Sequence, residues 1–444
     1  MKTILVLGAG RSSSALITYL LQQAAVHSWK ILVGDVSEDA ARQRIGGSTR
    51  GQALVFDIQQ EQSSEAIIKS VDVVISLLPA HLHPLVAKHC LQNHKHLLTA
   101  SYVSKEMQEF HGEAVAKNLI FVNECGLDPG IDHMSAMQVI HKIKAQGGKL
   151  ISFDSFTGGL ISPETAPENP WRYKFTWNPR NVVMAGQGTA KFLQEGQYKY
   201  VPYHQLFKRL TPVMVPGLGE FEGYPNRDSL KYLDTYGLQG IQSMLRGTLR
   251  NKGYCTAWDV LVQLGCCDDT FALEGVERMT HRDFINAFLN YDSQLMVEEK
   301  LCLAFKIQPN GPEMQRLRWS GFFDRELIGL KEGTPAQVLE HILNKKWKLK
   351  SEDKDQIVMW HRFVFMLHDQ KKEIQAALVS TGDDATCTAM AKTVGLPLGI
   401  AAKLILQDKI TSRGVVIPVI QEMYDPILKE LGEMGIALVE NEVA

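Results

Sequence analysis

Ile4-Leu5-Val6-Leu7-Gly8-Ala9-Gly10-Arg11-Ser12-Ser13 opens the chain and decides its fold class. Four apolar residues read as a buried strand. They run into two glycines, and residues 10–23 then carry a helical pattern. A glycine-rich turn between a strand and a helix N-terminus is how dinucleotide-binding folds hold a pyrophosphate. The first glycine makes the tight turn, and the second lets backbone amides reach the phosphates at the positive helix end. Gly8, Gly10, Arg11, Ser12 and Ser13 are therefore cofactor-binding candidates, with Ser13 where the pattern's third glycine would stand. The plainer reading is a glycine-rich turn that binds nothing. The strand before it and the helix after it favour the nucleotide.

Outward from this turn, residues 2–122 repeat the same alternation. Runs at 2–7, 30–34, 53–56, 71–78, 96–100 and 119–122 read as strands, with helices at 10–23, 38–45, 62–69, 82–93 and 104–117. This spacing predicts an α/β fold with a Rossmann-like parallel sheet. Near-continuous apolar runs such as Val73-Val74-Ile75-Ser76-Leu77-Leu78 fit strands buried on both faces. Asp35 ends the second run. A carboxylate there accepts hydrogen bonds from the adenosine ribose and repels a 2′-phosphate, which points to NAD, with NADP as the alternative. Its plainer reading is a surface Asp that starts the next turn. Asp57, just past the third run, is a further cofactor candidate.

After Gly130 the pattern changes. Residues 131–146 read as a helix, 149–159 as a strand and 160–181 as a proline-rich loop. Residues 228–350 read as helices only, at 228–247, 254–264, 280–290, 293–305, 316–322 and 335–345. Two strands at 356–367 and 373–379 form a hairpin about residues 368–372. A helix at 384–406, a strand at 415–419 and a helix at 420–434 follow. The plan is a dinucleotide-binding domain (1–130 and 384–444), a mixed α/β domain (131–227 and 351–383) and an all-α domain (228–350).

Composition excludes several classes. With a net charge of −2, no global field draws the chain to nucleic acid or to membranes. No stretch is expected to reach the roughly 18 apolar residues of a membrane span, and the first apolar run is too short for a signal-peptide core. The seven cysteines include no CxxC pair, so reduced thiols in a cytoplasmic protein are expected. His81, His83, His89, His94 and His96 cluster in sequence without ligand spacing, and no metal site is expected.

The densest chemistry lies in Asn123-Glu124-Cys125-Gly126-Leu127-Asp128-Pro129-Gly130-Ile131-Asp132-His133. It follows the last strand of the first domain, at the carboxyl edge where such sheets bind ligands. Asp128 is the better ligand or proton-handling group there. Asp132 is expected to cap the next helix, and His133 reads as structural. Leu78 and Thr99-Ala100-Ser101-Tyr102 end the fourth and fifth strands at the same edge. Tyr102 beside Asp128 is either a substrate hydrogen-bond donor that assists proton transfer or a structural tyrosine. Arg172, Arg180, Arg227, Arg246 and Arg250 lie in turn-like contexts and suggest a substrate with several carboxylates. For any one of them taken alone, an ordinary salt bridge is the simpler account.

Together these motifs resemble the glutamate-forming saccharopine dehydrogenases along nearly the whole chain. The likeness is carried by the glycine turn, the 123–133 stretch, Ser101-Tyr102-Val103-Ser104, Tyr173-Lys174-Phe175-Thr176-Trp177, Tyr224-Pro225-Asn226-Arg227-Asp228 and Arg246-Gly247-Thr248-Leu249-Arg250. The resemblance implies oxidation of saccharopine to glutamate and 2-aminoadipate 6-semialdehyde in lysine metabolism. It also implies a homodimer formed through the mixed domain. By matching position it places Ser101, Tyr102, Asp128, Arg227, Thr248, Leu249 and Arg250 around the substrate. Leu78, Thr99, Leu127, Asp128, Pro129 and Thr176 would lie along the cofactor. Water, Tyr102 or Asp128 would move the protons. Two departures stand out: Gly34-Asp35-Val36 replaces the Cys-Arg-Thr of NADP-using fungal members, and Thr157 replaces a cysteine found in some. The rival readings are an amine dehydrogenase acting on carboxylated polyamines and a non-catalytic NAD-binding regulator.

Overall fold

Thr3–Leu7 lies inside a seven-stranded sheet whose order is Gly414–Val416, Ile120–Val122, His96–Thr99, Val73–Ser76, Thr3–Leu7, Lys30–Asp35, Gly51–Val55. Every pairing in it is parallel. The strand order reverses beside Thr3–Leu7, which is the switch point where such sheets bind ligands beyond their carboxyl ends. The computed structural model describes residues 1–185 and 188–443. The chain forms two compact units. Met1–Lys149, Met366–Gln370 and Leu378–Glu440 make the first; Leu150–Phe365 and Lys371–Ala377 make most of the second.

In the first unit each expected strand is present, with its ends moved by at most three residues. The expected helix at 104–117 is two short helices, Lys105–Glu109 and His111–Ala116. The helix Ala389–Leu406 corrects the reading that no stretch could cross a membrane: its 18 residues are long and apolar enough. It is a core helix, since 78% of it is buried within the protein. A Cβ on Gly395 would lie 2.9 Å from Leu16 Cβ, and one on Gly399 would lie 2.6 Å from Tyr19 Cδ1. These glycines let the helix pack tightly on Ser14–His27, and overpacking here would cost about 1–3 kcal/mol.

The second unit holds a nine-stranded mixed sheet. Ser243–Asn251 pairs parallel with Lys149–Ile161 and antiparallel with Gly219–Pro225. This corrects the helix expected at 228–247, where the chain makes a 3-10 turn, Ser229–Tyr232, and then this strand. Arg246 and Arg250 disguised the strand, because both are buried at 7% and 4% exposure. Phe156 lies across two glycines: a Cβ on Gly223 or Gly247 would come within 2.7 or 2.4 Å of its ring. Five strands, at Ala190–Gln194, Gln197–Val201, Thr211–Val215, Gly219–Pro225 and Val439–Val443, had no sequence assignment. The hairpin Asp355–Leu367 to Gln370–Thr381 turns on His368 and Asp369 alone, both at positive φ (49° and 61°), and not on a five-residue loop. Its core gathers Trp171, Trp258 and Trp347, with Trp258 stacked on Trp347 at 5.8 Å and Trp171 edge-on to Trp347 at 5.2 Å. Each such buried ring contributes roughly 1.5–3 kcal/mol.

Candidate functional site

The glycine turn is built for close approach. Gly8 has φ 99°, and a Cβ there would meet Leu77 O at 3.3 Å, so only glycine fits without strain. A Cβ on Gly10 would meet nothing within 4 Å, which leaves its backbone open to a pyrophosphate. Ser13 is buried and closes the turn by donating to Gly10 O at 2.8 Å. Arg11 is exposed, and Ser12 is half-buried. Asp35 accepts from Ala9 N–H at 2.7 Å and from Ser37 N–H at 3.0 Å, so its carboxylate also braces the turn. Arg44, which the sequence reading passed over, donates from Nε to Ala9 O at 3.3 Å on the other side of the same residue. Asp57 accepts from Gln59 N–H at 3.0 Å and shapes the turn before Glu61–Lys69.

The loop 123–133 is folded on itself. Gly130, at φ 149°, approaches Gly126 so closely that a Cβ would lie 2.1 Å from its carbonyl oxygen. Gly126 N–H donates to Pro129 O at 3.0 Å and Ile131 N–H to Gly126 O at 2.8 Å. Asp132 is not the N-cap of Ile131–Ala145; Gly130 is. Asp132 stands one residue inside the helix and accepts from Gly130 N–H at 2.6 Å. Glu124 is buried, accepts from Val103 N–H at 3.0 Å and holds His133 Nε2 at 2.9 Å, which gives His133 the structural role expected of it. This bracket fixes Tyr102 against Asp128: the tyrosine hydroxyl donates to Asp128 Oδ1 at 3.1 Å. Leu127 and Pro129 are buried behind them, and Leu78 is half-buried.

His83 was weighed in the sequence only as one of a histidine cluster. Its side chain is buried and joins the ends of two strands. Nδ1 lies 3.0 Å from Ser76 Oγ; Nε2 lies 2.8 Å from Ser101 Oγ and 3.0 Å from Thr99 Oγ1. Among the described residues no group of three or more His, Cys, Asp or Glu is arranged to hold a metal ion.

In the second unit the arginines divide. Arg172 donates to Pro163 O at 2.8 Å, and Arg180 pairs with Asp269; both serve the fold. Arg246 lies over the Tyr232 ring at 4.4 Å. Arg227 sits at φ 50° in a tight turn whose carbonyl accepts from Lys191 N–H at 2.8 Å. Arg250 differs from all of these. It is buried among the rings of Tyr173, Tyr254 and Tyr224, at 5.1, 5.3 and 5.8 Å. Among the described residues its side chain makes one hydrogen bond, to Leu249 O at 2.9 Å, and its Nε has no partner. Burial raises the three phenols above their usual pKa, with Arg250 partly offsetting this, so they remain neutral. Thr248 is in register with Thr157 on one side and Tyr224 on the other. Thr157 Oγ1 and Thr176 Oγ1 are also buried without partners among the described residues. Leu249 is fully buried, and Gly158 lies against its backbone.

The chain has clear relatives. Residues 4–122 match the family model of the saccharopine dehydrogenase NADP binding domain, and residues 126–436 match that of the saccharopine dehydrogenase C-terminal domain. Over 445 residues the chain is 35% identical to the mitochondrial alpha-aminoadipic semialdehyde synthase of Bos taurus, a match covering 98% of this chain and 47% of that protein. The chain thus spans about half the length of relatives of that kind. It is 31% identical over 452 residues to the saccharopine dehydrogenase (NADP(+), L-glutamate-forming) of Schizosaccharomyces pombe, covering 99% of each. The solved apo saccharopine dehydrogenase (L-Glu forming) from Saccharomyces cerevisiae superposes with a TM-score of 0.90 at 29% identity, covering 100% of both chains. The chain belongs to the saccharopine dehydrogenase family.

Proposed function

We propose that this chain oxidises saccharopine with NAD(P), giving glutamate and 2-aminoadipate 6-semialdehyde. Arg250 carries the proposal. A guanidinium buried without a carboxylate partner is costly, and neutral tyrosines do not discharge it. A substrate carboxylate does, and saccharopine has three. The glycine turn fits a dinucleotide, since Gly8 makes the turn at φ 99° and the space beside Gly10 is open. When bound, that group supplies the hydride acceptor. Hydride can leave only from a carbon beside a neutral amine, so a group must first take a proton from the substrate ammonium. Tyr102 donates to the Asp128 carboxylate, and this pair holds that proton. Within the second unit Arg227 and Arg250 are the candidates for holding carboxylates, beside Thr248 and Leu249. Within the first unit Ser101 is the candidate substrate donor, and Leu78, Thr99, Leu127 and Pro129 are the candidates for lining the cofactor.

The test is direct: purified protein with saccharopine and NAD⁺ or NADP⁺, followed at the absorbance of the reduced nicotinamide, with glutamate measured as product. No turnover with either nucleotide overturns the reading. We also infer a homodimer built through the mixed sheet; light scattering at micromolar concentration that gave a monomer mass would contradict it.

A further inference from the structure

His83 has both ring nitrogens engaged by hydroxyl groups at the carboxyl ends of two neighbouring strands. Ser76 ends Val73–Ser76, and Thr99 ends His96–Thr99. The ring reaches Ser76 Oγ through Nδ1 and both Ser101 Oγ and Thr99 Oγ1 through Nε2, the Ser101 contact being shorter, at 2.8 against 3.0 Å. Thr99 Oγ1 also accepts the backbone N–H of Ser101 at 3.2 Å. The side chain of Ser101 is thereby keyed to one imidazole nitrogen and its backbone to Thr99.

The ring is neutral. Burial and the neighbouring His81 push its pKa down to about 4. A neutral imidazole carries one N–H and one lone pair, and the two tautomers give Ser101 opposite roles. With the proton on Nδ1, the Nε2 lone pair takes a hydroxyl hydrogen from Ser101 or Thr99, and a Ser101 bound in this way can only accept from a ligand. With the proton on Nε2, the ring donates toward Ser101 and Thr99, and Ser76 donates to Nδ1. Both remaining hydroxyl hydrogens are then available to ligands. A carboxylated substrate needs a donor.

We propose that His83 holds the Nε2–H tautomer and so aims the Ser101 hydroxyl hydrogen at a substrate carboxylate. This rests on the reading of the chain as a saccharopine dehydrogenase. His83 is a positioning residue: it acts through Ser101 and does not touch the reacting atoms.

Two measurements test it. In protein labelled with ¹⁵N-histidine, long-range ¹H–¹⁵N spectra distinguish the tautomers, and the His83 signals are those lost in His83→Gln. The Nε2–H pattern is expected; the Nδ1–H pattern overturns the proposal. The second is a double-mutant cycle on the KM for saccharopine. His83→Asn and Ser101→Ala should each raise it about tenfold, the loss of one good hydrogen bond. The double variant should be no worse than either single one, because both remove the same interaction. His83→Gln, whose amide reaches toward the Nε2 position, should lose less than His83→Asn. A double variant near a hundredfold overturns the proposal, since His83 would then act elsewhere. Wild-type protein that does not oxidise saccharopine overturns the functional reading itself. The tautomer spectrum needs no turnover and separates the two failures.

Discussion

Tyr102 donates its hydroxyl hydrogen to Asp128 Oδ1 at 3.1 Å, across 26 positions of sequence. The two residues come from different strand ends. Glu124 aligns those ends by accepting Val103 N–H, and the folded turn at Gly126 and Gly130 aims Asp128. The pair is therefore held by backbone geometry and does not depend on its own bond for position.

That independence makes Tyr102→Phe a clean test. The ring keeps its place, Asp128 loses one donor, and the fold should melt within a few degrees of wild type. If the pair holds the proton leaving the substrate, kcat should fall at least tenfold while the KM for the nucleotide barely moves. Unchanged kcat in Tyr102→Phe and Asp128→Asn alike would assign the proton to water.

Cofactor choice turns on Asp35. The Schizosaccharomyces pombe relative carries NADP(+) in its name, whereas this chain presents a carboxylate at the end of Lys30–Asp35. A 2′-phosphate beside that charge is repelled, so NAD⁺ should give the higher kcat/KM. Asp35→Asn keeps an oxygen for Ala9 N–H, gives up the one that accepts from Ser37 N–H, and removes the charge. It should shift the preference toward NADP⁺ by about tenfold. Wild-type enzyme that prefers NADP⁺ tenfold would give Arg44, on the far side of Ala9, the stronger influence.

Asp154 gives a pH-dependent stability. Burial pushes its carboxyl up to about 6, although Arg362, at 3.4 Å, pulls it down. Its usual value is 3.8. Between these values the folded state holds a proton that the unfolded state has lost, so stability falls as pH rises through the window. Above it, the ionised group costs on the order of 2–3 kcal/mol. Asp154→Asn removes that cost, and Arg362 keeps Glu373 at 2.9 Å. The variant should be more stable than wild type at pH 8 and nearly equal to it at pH 4, read as urea midpoints. A difference that stays constant across the two pH values would contradict this account.

The first unit was legible because its signals are local. Gly8 and Gly10 mark a turn that only small residues make, and buried parallel strands read as apolar runs. The second unit hid its strands. Arg246 and Arg250 interrupt the alternation of Ser243–Asn251, since they bury against rings that include Tyr232 and Tyr173, well away in sequence. His83 was legible only as a histidine. Its role depends on Ser76, Thr99 and Ser101, which the sheet brings together. Arg172 and Arg180 follow the simpler account expected of any single arginine, since their partners are Pro163 O and Asp269.

The last prediction separates binding from folding at Arg250. A buried guanidinium without a carboxylate burdens the folded state, and replacing buried charge with apolar volume is often neutral or stabilising. Arg250→Met fills much of the same space among Tyr173, Tyr224 and Tyr254 and gives up one bond to Leu249 O. Its Tm should match or exceed that of wild type. Its KM for saccharopine should rise ten- to a hundredfold, because a charge-assisted bond to a carboxylate is worth about 1.5–3 kcal/mol. The KM for the nucleotide should hold. Arg227→Ala should show the same substrate effect. If Arg250→Met instead melts several degrees lower and keeps its KM, the arginine serves the core. The carboxylates of saccharopine would then have to be held by other groups, and a substrate with fewer carboxylates, a carboxylated polyamine, would become the better reading.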